Sequence, residues 1–583
     1  MRATLLATAL LLLQAGCAER PAGEATGEAA GVEPADIVFT GGVIHTADEA
    51  RSRAEAVAVR GDTIVAVGDA GEVSAWIGDA TRVVDLDGRT VLPGFHDAHM
   101  HPLTGGEMLL GCSLFGLTTR DAILAKVAEC VAESDDEWVI GENFDLAAFP
   151  GGNPHKSLLD EIAPDRYVYL RGTDGHNDLA NSKVLELAGI TAETPDPPKG
   201  VIERDPETGE PTGMLRETAR APVEALLPET TFEDRVAALE ATLAETARYG
   251  ITSLVDAWTG VPDWEVYRAV AESGGLDARV KASLTYGVNA KHQGEEWEAA
   301  LARRDEFAGE RFTVSAVKFF VDGVLEGETA ALVEPYTGMD HRGVLNFESD
   351  ELKQTVTRFD AMGLQIHMHA IGDLAVREGL DAIEAARKAN GDTGNRHHIT
   401  HLQLVHPDDI PRFAELGVAA TFQALWAYPD AWIMEINLPV VGPERVERMY
   451  PVGSIHRAGG TIVGSSDWAV SSMNPLEAIE TAITRQDAAG QVDGTLNAEE
   501  AVDLATMLDA YTRNAARLLG HDDITGSIET GKRADIVVLD RDIFAIPASE
   551  LSEVRVDMTL LDGGIIYERN SEPEASATAE SDN

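Results

Sequence analysis

The chain has 583 residues, of which 44% are hydrophobic and 25% are charged, a composition typical of globular proteins. Its 46 Lys and Arg residues face 99 Asp and Glu residues, which gives a formal net charge of -53 at pH 7. Because such a surface repels polyanions and offers no basic stripe, we expect no nucleic-acid partner. The length predicts one large domain with a smaller one beside it.

The N-terminus carries the pattern of an exported protein. Arg2 precedes an apolar run from Ala3 to Leu13, which is too short for a stable transmembrane span. The end of this segment, "LQAGC", resembles a bacterial lipoprotein signal, which implies a signal peptide at residues 1–17 with Cys17 as the lipidated residue. We therefore expect an exported protein, periplasmic or anchored to the outer membrane as a lipoprotein, with plain secretion as the alternative.

Two polar segments flank the part of the chain that is expected to fold. Residues 18–35 and 571–583 consist mainly of Ala, Gly, Glu, Ser and Pro, which bury too little apolar surface to form a core. We expect a flexible tether and a disordered tail. Contact with a membrane is then made only through the lipid at Cys17.

Only two cysteines remain besides Cys17, at positions 112 and 130. Cys112 and Cys130 are too few for an all-cysteine zinc site. They form either a disulfide in an oxidising compartment or two small buried side chains, and the sequence leaves this choice open.

Both ends of the folded part are rich in short β-type runs. Residues 36–93 alternate runs such as "AEAVAVRGDTIVAVGD" with turn signals, and residues 521–570 repeat this character in "RADIVVLD" and "LLDGGIIYE". These segments predict one small sheet domain built from both termini.

The middle of the chain, residues 94–520, alternates strand-like runs with amphipathic stretches such as "DELKQTVTRFDAMG". One strand ends at "HMH", and seven more begin near Ile251, Val280, Val314, Leu364, His397, Val418 and Gly460. Eight such units predict an α/β fold, a (β/α)8 TIM barrel with catalytic side chains at the carboxyl ends of its strands. The interval 102–240 is too long for one unit and is expected to be an insertion over the barrel mouth.

Side chains that suit a metal ion stand at the ends of five of these strands. His99 and His101 share one face of the first strand because strand side chains alternate. The others, on the fourth, fifth, sixth and eighth strands, are Lys318, His367 with His369, His401 and Asp467. The strand ends of a barrel meet at one mouth, and imidazole and carboxylate groups suit zinc and related divalent ions. Alternation alone permits either His367 or His369 as the ligand on the fifth strand.

A series of motifs runs in order along nearly the whole chain: "PGFHDAHMHP", "GTDGHNDLANS", "VKFFVDG", "HMHAIGD", "HITHLQLV", "GSSDW" and "GSIETGKRADIVVLD". They resemble the amidohydrolase superfamily, in the amidohydrolase 3 or YtcJ-like branch that includes N-substituted formamide deformylase. The resemblance implies a metal-bearing (β/α)8 barrel with a small β-sandwich from both termini. It also implies metal ligands: His99, His101 and Asp467 for the first ion, His369 and His401 for a second, and a carboxylated Lys318 that bridges both.

The resemblance leaves some roles open. Zinc is the expected metal, as one ion or two, and Lys318 is either carboxylated or an unmodified anchor for a substrate anion. Asp174 and His176, in "GTDGHNDLANS", would face the substrate, although a supporting role explains them nearly as well.

These residues predict a metal-dependent hydrolase of a non-peptide carbon–nitrogen bond in a small-molecule substrate, either an amide or an N-substituted formamide. Asp467 would take a proton from the attacking water and deliver it to the leaving nitrogen. The same site suits an ester, a lactone or a carbamate, and a third hypothesis is a lipid-anchored binding protein without catalysis. The complete ligand set, with Asp467, favours an enzyme. The assembly state stays open between a monomer and a homodimer.

Overall fold

The computed structural model describes residues 32–569. The predicted signal peptide, Cys17, most of the tether and the tail at 571–583 lie outside these residues, so lipidation and export stay predictions. Among the helices between residues 32 and 569, none combines the length and the apolar character needed to cross a membrane.

The largest element is a sheet of eight parallel strands whose order in space follows their order along the chain. We number them as the first to eighth barrel strands: Phe95–Met100, Ile251–Thr259, Arg279–Tyr286, Phe312–Phe320, Gln365–Ala370, His398–His401, Ala419–Phe422 and Ile462–Gly464. The Asp467 backbone N–H, just after the eighth strand, donates to the His99 carbonyl of the first at 2.8 Å. The sheet therefore closes almost completely, and the TIM-barrel-like α/β fold predicted from the sequence is confirmed.

Helices follow the barrel strands and cover the outside of the sheet. Their bounds are Val261–Ser273, Gly294–Arg303, Ser349–Ala361, Asp373–Asn390, Ile410–Leu416, Leu438–Val441, Pro443–Val446, Val452–Arg457, Pro475–Thr484, Leu504–Tyr511 and Arg513–Leu519. The predicted "DELKQTVTRFDAMG" helix is confirmed as Ser349–Ala361, whose buried side chains include Leu352, Val356 and Phe359. Because strands of this kind are covered on both faces, they are apolar along most of their length.

A second sheet joins the two ends of the described chain. Its eight strands are Ile37–His45, Arg53–Arg60, Thr63–Gly68, Arg82–Asp85, Thr90–Pro93, Ile536–Leu539, Val556–Leu561 and Gly564–Glu568, with a short helix at Ala70–Val73. Ile536–Leu539 pairs antiparallel with Thr90–Pro93, which places Val537 opposite Leu92. A sheet built from both termini is therefore present, whereas the second layer of a β-sandwich and the predicted domain boundaries stay predictions.

The chain between the first and second barrel strands forms a third sheet of six strands. These strands are Cys112–Ser113, Trp138–Phe144, Tyr167–Gly172, Asn177–Ala180, Gly200–Arg204 and Pro211–Glu217. The accompanying helices are Pro102–Leu110, Arg120–Glu133, Ser157–Ile162, Ser182–Ala188, Ala221–Glu224 and Phe232–Arg248. The last of these begins at a reciprocal capping box formed by Thr231 and Asp234.

Cys112 and Cys130 form a disulfide, with their Cα atoms 5.9 Å apart. The bond joins the short strand Cys112–Ser113 to the helix Arg120–Glu133. The choice that the sequence left open is thus decided in favour of pairing.

Candidate active site

A cavity of about 1590 Å³ opens at the carboxyl ends of the barrel strands. Its walls come from the loops that follow these strands and from the insertion between the first and second strands. The cavity is lined by all the metal-ligand and substrate-facing residues predicted from the resemblance: His99, His101, Asp174, His176, Lys318, His369, His401 and Asp467. Residues that span most of the sequence therefore meet in one place, as expected for a barrel.

Three side chains come close enough to share one metal ion. One ligand atom each from His99, His101 and Asp467 lies within 4.8 Å of the other two. Asp467 Oδ1 is 3.3 Å from His99 Nε2 and 3.1 Å from His101 Nε2. Within residues 32–569 this is the single group of three or more His, Cys, Asp or Glu side chains with such spacing.

The chemistry of these three groups fits a divalent ion. Asp467 Oδ1 is buried and has no hydrogen-bond partner, although two imidazole nitrogens lie nearby. Burial opposes ionisation of Asp467, but the facing His99 and His101 outweigh it and hold the pKa of the carboxyl well below its usual range. Burial lowers the pKa of His99 well below its usual value, so the ring is neutral and keeps a lone pair. Two imidazoles and one carboxylate are a donor set that zinc accepts.

Lys318 is a buried amine beside this group. Its Nζ lies 3.3 Å from His99 Nε2 and 4.9 Å from the centre of the Phe320 ring. Among the described side chains, no carboxylate forms an ion pair with it, and burial lowers the pKa of Lys318 to about 7. An amine in this position is therefore available in its neutral form, in contrast to a surface lysine.

His401 and His369 lie in the cavity wall next to the group formed by His99, His101 and Asp467. His401 Nδ1 is 3.7 Å from Asp467 Oδ2, and the centres of the His369 and His401 rings are 4.5 Å apart. His401 Nδ1 also lies 2.9 Å from Gln423 Oε1, which leaves Nε2 free to face the cavity. These two histidines do not belong to the compact group of three, so the second metal site stays a prediction.

The two histidines of the fifth barrel strand have different surroundings. His367 Nε2 lies 2.7 Å from His99 Nδ1, and its Nδ1 lies 3.0 Å from Ser283 Oγ. His369 lies closer to the strand end, lines the cavity, and packs against His401. The geometry therefore favours His369 as the cavity-facing residue, and His367 orients the His99 ring from behind.

Unusual backbone conformations help to position the side chains of Asp467 and His401. Asp467 has φ 57° and His401 has φ 78°, values in the left-handed region that residues other than glycine rarely adopt. Such conformations cost about 1–3 kcal/mol each and persist only where the surroundings impose them. One such constraint is Asp97, which accepts the backbone N–H groups of His99 at 3.1 Å and Ser466 at 3.1 Å. Asp97 thus ties the end of the first strand to the segment that carries Asp467.

Asp174 and His176 belong to a network that includes a glutamate missed by the sequence analysis. The Asp174 carboxylate accepts the His176 backbone N–H at 2.8 Å, and Glu217 Oε2 lies 2.9 Å from His176 Nδ1. Burial favours a neutral His176, but Glu217 outweighs it, with help from Asp174, and raises the pKa of His176 to about 9. The His176 and His369 ring centres are 5.5 Å apart, so this ion pair adjoins the predicted metal ligands.

We predict that Glu217→Gln destabilises the protein by about 3 kcal/mol at pH 6, because it removes one partner of a buried ion pair. The folded-state pKa of His176 is raised, so this stabilisation is fully present below the unfolded pKa of about 6.5 and is lost as pH rises through about 9. Denaturant unfolding at several pH values should show a deficit that shrinks toward zero near pH 10. An exposed control, Glu186→Gln, should show no such deficit, and a deficit that persists at high pH would contradict the prediction.

Local sequence patterns offered little sign of the supporting residues. Gln423 and Glu217 stand at the ends of buried strands, but a single Gln or Glu in that place is common without function. Asp97 falls within "HDAHMH", two residues before His99, and this is the one local signal for a supporting residue.

Comparison with known proteins agrees with this geometry. The chain matches the Amidohydrolase family over residues 82–567. N-substituted formamide deformylase of Arthrobacter pascens is 30% identical over 552 residues, which cover 92% of this chain and 98% of that protein. Protein LONG AFTER FAR-RED 3 of Arabidopsis thaliana is 31% identical over 520 residues, 87% of each chain.

The fold is also found among solved structures. A crystal structure of an uncharacterized metal-dependent hydrolase from Pyrococcus furiosus superposes with a TM-score of 0.65 at 26% identity, and the match covers 87% of this chain and 99% of that chain. The family match spans the whole barrel, including every predicted metal ligand, and parts of the terminal sheet. This chain therefore belongs to the amidohydrolase family of hydrolases.

Proposed function

We propose that this amidohydrolase cleaves the carbon–nitrogen bond of a small-molecule amide, specifically an N-substituted formamide. The observation that carries the proposal is the approach of one ligand atom each from His99, His101 and Asp467 in the wall of a large cavity. Three protein ligands that leave a coordination position open are typical of catalytic zinc sites, whereas structural sites use four. A cavity of about 1590 Å³ accommodates a small organic substrate.

Zinc bound by His99, His101 and Asp467 would polarise the substrate carbonyl and lower the pKa of a water molecule. The remaining roles belong to side chains of the protein. Asp467, ionised at neutral pH, accepts a proton from the attacking water and donates it to the nitrogen that leaves. His367 holds the His99 ring from behind at 2.7 Å, and His401 faces the second carboxylate oxygen of Asp467 at 3.7 Å. These contacts keep the base in one orientation.

The choice of a formamide is supported by the relative from Arthrobacter pascens, which is named N-substituted formamide deformylase and matches over 98% of its length. A formamide has only hydrogen on the acyl side of its carbonyl, so its N-substituent must occupy most of the available space. The volume beyond the metal ligands suits such a substituent.

The test is a panel of N-substituted formamides, larger amides, esters, lactones and carbamates offered to the purified chain after addition of zinc. We expect formamides to be hydrolysed with the highest kcat/KM, with the amine as product. Preference for an ester or lactone would keep the metal site and reject the carbon–nitrogen bond as its target. Ligand binding without turnover of any class would favour the binding-protein hypothesis.

We propose further that Lys318 is carboxylated, so that its carbamate would serve as a ligand for both of two zinc ions, and His369 and His401 would hold the second. The support is a fully buried amine that forms no ion pair with a carboxylate between residues 32 and 569, at 3.3 Å from His99 Nε2. An ammonium offers no lone pair to a metal, whereas a carbamate is an anion with two donor oxygens.

Export with a lipid anchor at Cys17 is also proposed. The disulfide between Cys112 and Cys130 supports it, because such bonds persist in oxidising compartments. In a bacterial host, Cys17→Ser should move the protein from the membrane fraction to the soluble fraction. An unchanged distribution would reject lipidation at this residue.

A further inference from the structure

One end of the cavity carries carboxylates that have no cationic partner. Asp145 comes from the insertion, Asp430 from the loop after the seventh barrel strand, and Asp487 from the loop after helix Pro475–Thr484. We call these three residues the acidic end. In the part of the chain that the structure describes, none of them forms an ion pair with Lys, Arg or His. Burial, reinforced by the negative charges of Asp145 and Asp487, raises the pKa of Asp430 to about 7.

The arginines and Lys291 elsewhere in the cavity wall are already paired with carboxylates. Arg171 pairs with Glu142 at 3.0 Å, and Arg220 pairs with Asp178 at 3.3 Å. Lys291 pairs with Asp263 at 2.9 Å, and Arg235 contacts the same carboxylate. Other carboxylates of the wall, such as Glu107 and Glu326, also lack an ion pair among the described residues. No cation of the wall offsets the acidic end, however, and like charges so placed repel each other unless a cation enters.

Buried acceptors and aromatic rings lie at the same end. The side-chain oxygens of Gln403 and Asn437 are buried without a hydrogen-bond partner, and both residues line the cavity with exposed fractions of 7% and 2%. Trp426, Tyr428 and Trp432 line it too, and the Trp426 ring stacks on that of His401 at 5.8 Å. The acidic end thus adjoins the proposed metal ligands. Unpartnered acceptors call for a donor, and aromatic faces attract a cation.

The spacing of these groups does not suit a metal ion. The structure, between residues 32 and 569, has no group of three His, Cys, Asp or Glu atoms within 4.8 Å apart from the trio at Asp467. A divalent cation needs its oxygen ligands gathered at about 2.0–2.6 Å from one point. Separated carboxylates combined with rings and amide oxygens match an organic cation, which spreads its contacts over a larger volume.

We propose that the acidic end binds a protonated amine on the N-substituent of the substrate, so that the enzyme acts on amides or formamides that carry an alkylammonium group. This inference rests on the proposed function for the chemistry of the bond that is cleaved. Asp145, Asp430 and Asp487 supply the charge, the Gln403 and Asn437 oxygens accept N–H donors, and Trp426 covers the alkyl chain next to His401.

The test compares probes that differ only in this charge. Monoformyl-cadaverine and N-hexylformamide have the same length, and so do hexylammonium and hexanol, which are not cleaved. At pH 8 the alkylammonium remains protonated. We expect a preference of about tenfold for the charged member of each pair, in kcat/KM for the formamides and in Kd by calorimetry for the uncleaved pair.

Variants separate the contribution of the acidic end to cation binding from the general attraction that a chain with a net charge of -53 exerts on cations. The double variant Asp430→Asn/Asp487→Asn should lower each preference at least about fivefold. Asn keeps one carbonyl oxygen, which is enough at Asp430, where one oxygen accepts the Ile433 N–H at 2.8 Å. At Asp487 both oxygens accept backbone N–H groups, from Ala489, Gln491 and Val492, so that loop loses part of its capping. The control is Asp305→Asn, whose side chain is 86% exposed and outside the cavity, and it should leave both preferences unchanged.

Each outcome decides a separate question. If neither formamide is cleaved, the proposed function fails, while the hexylammonium measurement still decides the inference. Equal binding of hexylammonium and hexanol, or an unchanged preference in the double variant, would overturn the amine site. Calcium binding that the double variant abolishes would assign the acidic end to a metal ion and would also overturn it. If the double variant does not fold, Asp430→Asn alone, which keeps the oxygen that caps Ile433, provides the same comparison.

Discussion

Replacing Asp467 by Asn is expected to lower kcat by about 10²- to 10⁴-fold, the contribution usual for a positioned acid–base group. The amide has nearly the same size as the carboxylate, but it cannot take the proton of water at neutral pH. Its oxygen also gives up the charge that faces His99 and His101 at 3.3 and 3.1 Å. KM should change far less than kcat. The measurement is steady-state kinetics with the best formamide from the substrate panel, together with the metal content of each protein.

Asp373 is the matched control for Asp467. It stands in the motif "HAIGD", but its carboxylate accepts the Val333 N–H at 2.8 Å and the residue does not line the cavity. Asp373→Asn should therefore keep near-normal turnover. Near-normal turnover in Asp467→Asn, with loss in Asp373→Asn, would reverse the assignment of the base.

Removal of the metal is expected to abolish turnover, and zinc with bicarbonate is expected to restore it. Chelation frees His99, His101 and Asp467 and, if Lys318 carries a carbamate, lets that group revert to the free amine. Zinc added without dissolved carbon dioxide should then restore less than about a tenth of the activity. The activity and the zinc bound per chain should be followed together during reloading.

Lys318→Ala provides the control for the carbamate. This variant should respond equally to zinc with and without bicarbonate, and a short carboxylic acid such as propionate should restore part of its activity by filling the vacated space. Full reactivation of the wild-type protein by zinc in the absence of bicarbonate would reject carboxylation. Full activity after chelation would reject metal dependence altogether.

Several parts of this fold can be predicted because they depend on neighbours along the chain. The run "ITSLVDAWT" is buried over nearly its whole length, as expected of a parallel strand covered on both sides. Thr231 and Asp234 satisfy each other's backbone at the start of a helix, which is again a local matter. The barrel follows from the repetition of such units, and the barrel brings His99 and Asp467 together because the eighth strand closes against the first.

Other parts depend on contacts between distant segments, for which period and spacing carry no information. His367 and His369 share one face of a strand, so alternation cannot separate them. The two differ in their depth along the barrel axis. His367 therefore contacts His99 from behind, whereas His369 lines the cavity. Pairing of Cys112 with Cys130 likewise depends on how helix Arg120–Glu133 packs against its sheet.

The supporting residues of the site are the least predictable from local pattern. Glu217 reaches His176 from a strand 41 residues further along, and its charge matters only because both side chains are buried together. Asp145, Asp430 and Asp487 form one acidic end because three loops fold over the same cavity. Short motifs thus identify the residue types that perform the chemistry. Their partners and the shape of the substrate pocket arise from packing, because burial and electrostatic coupling act between atoms that are neighbours only in space.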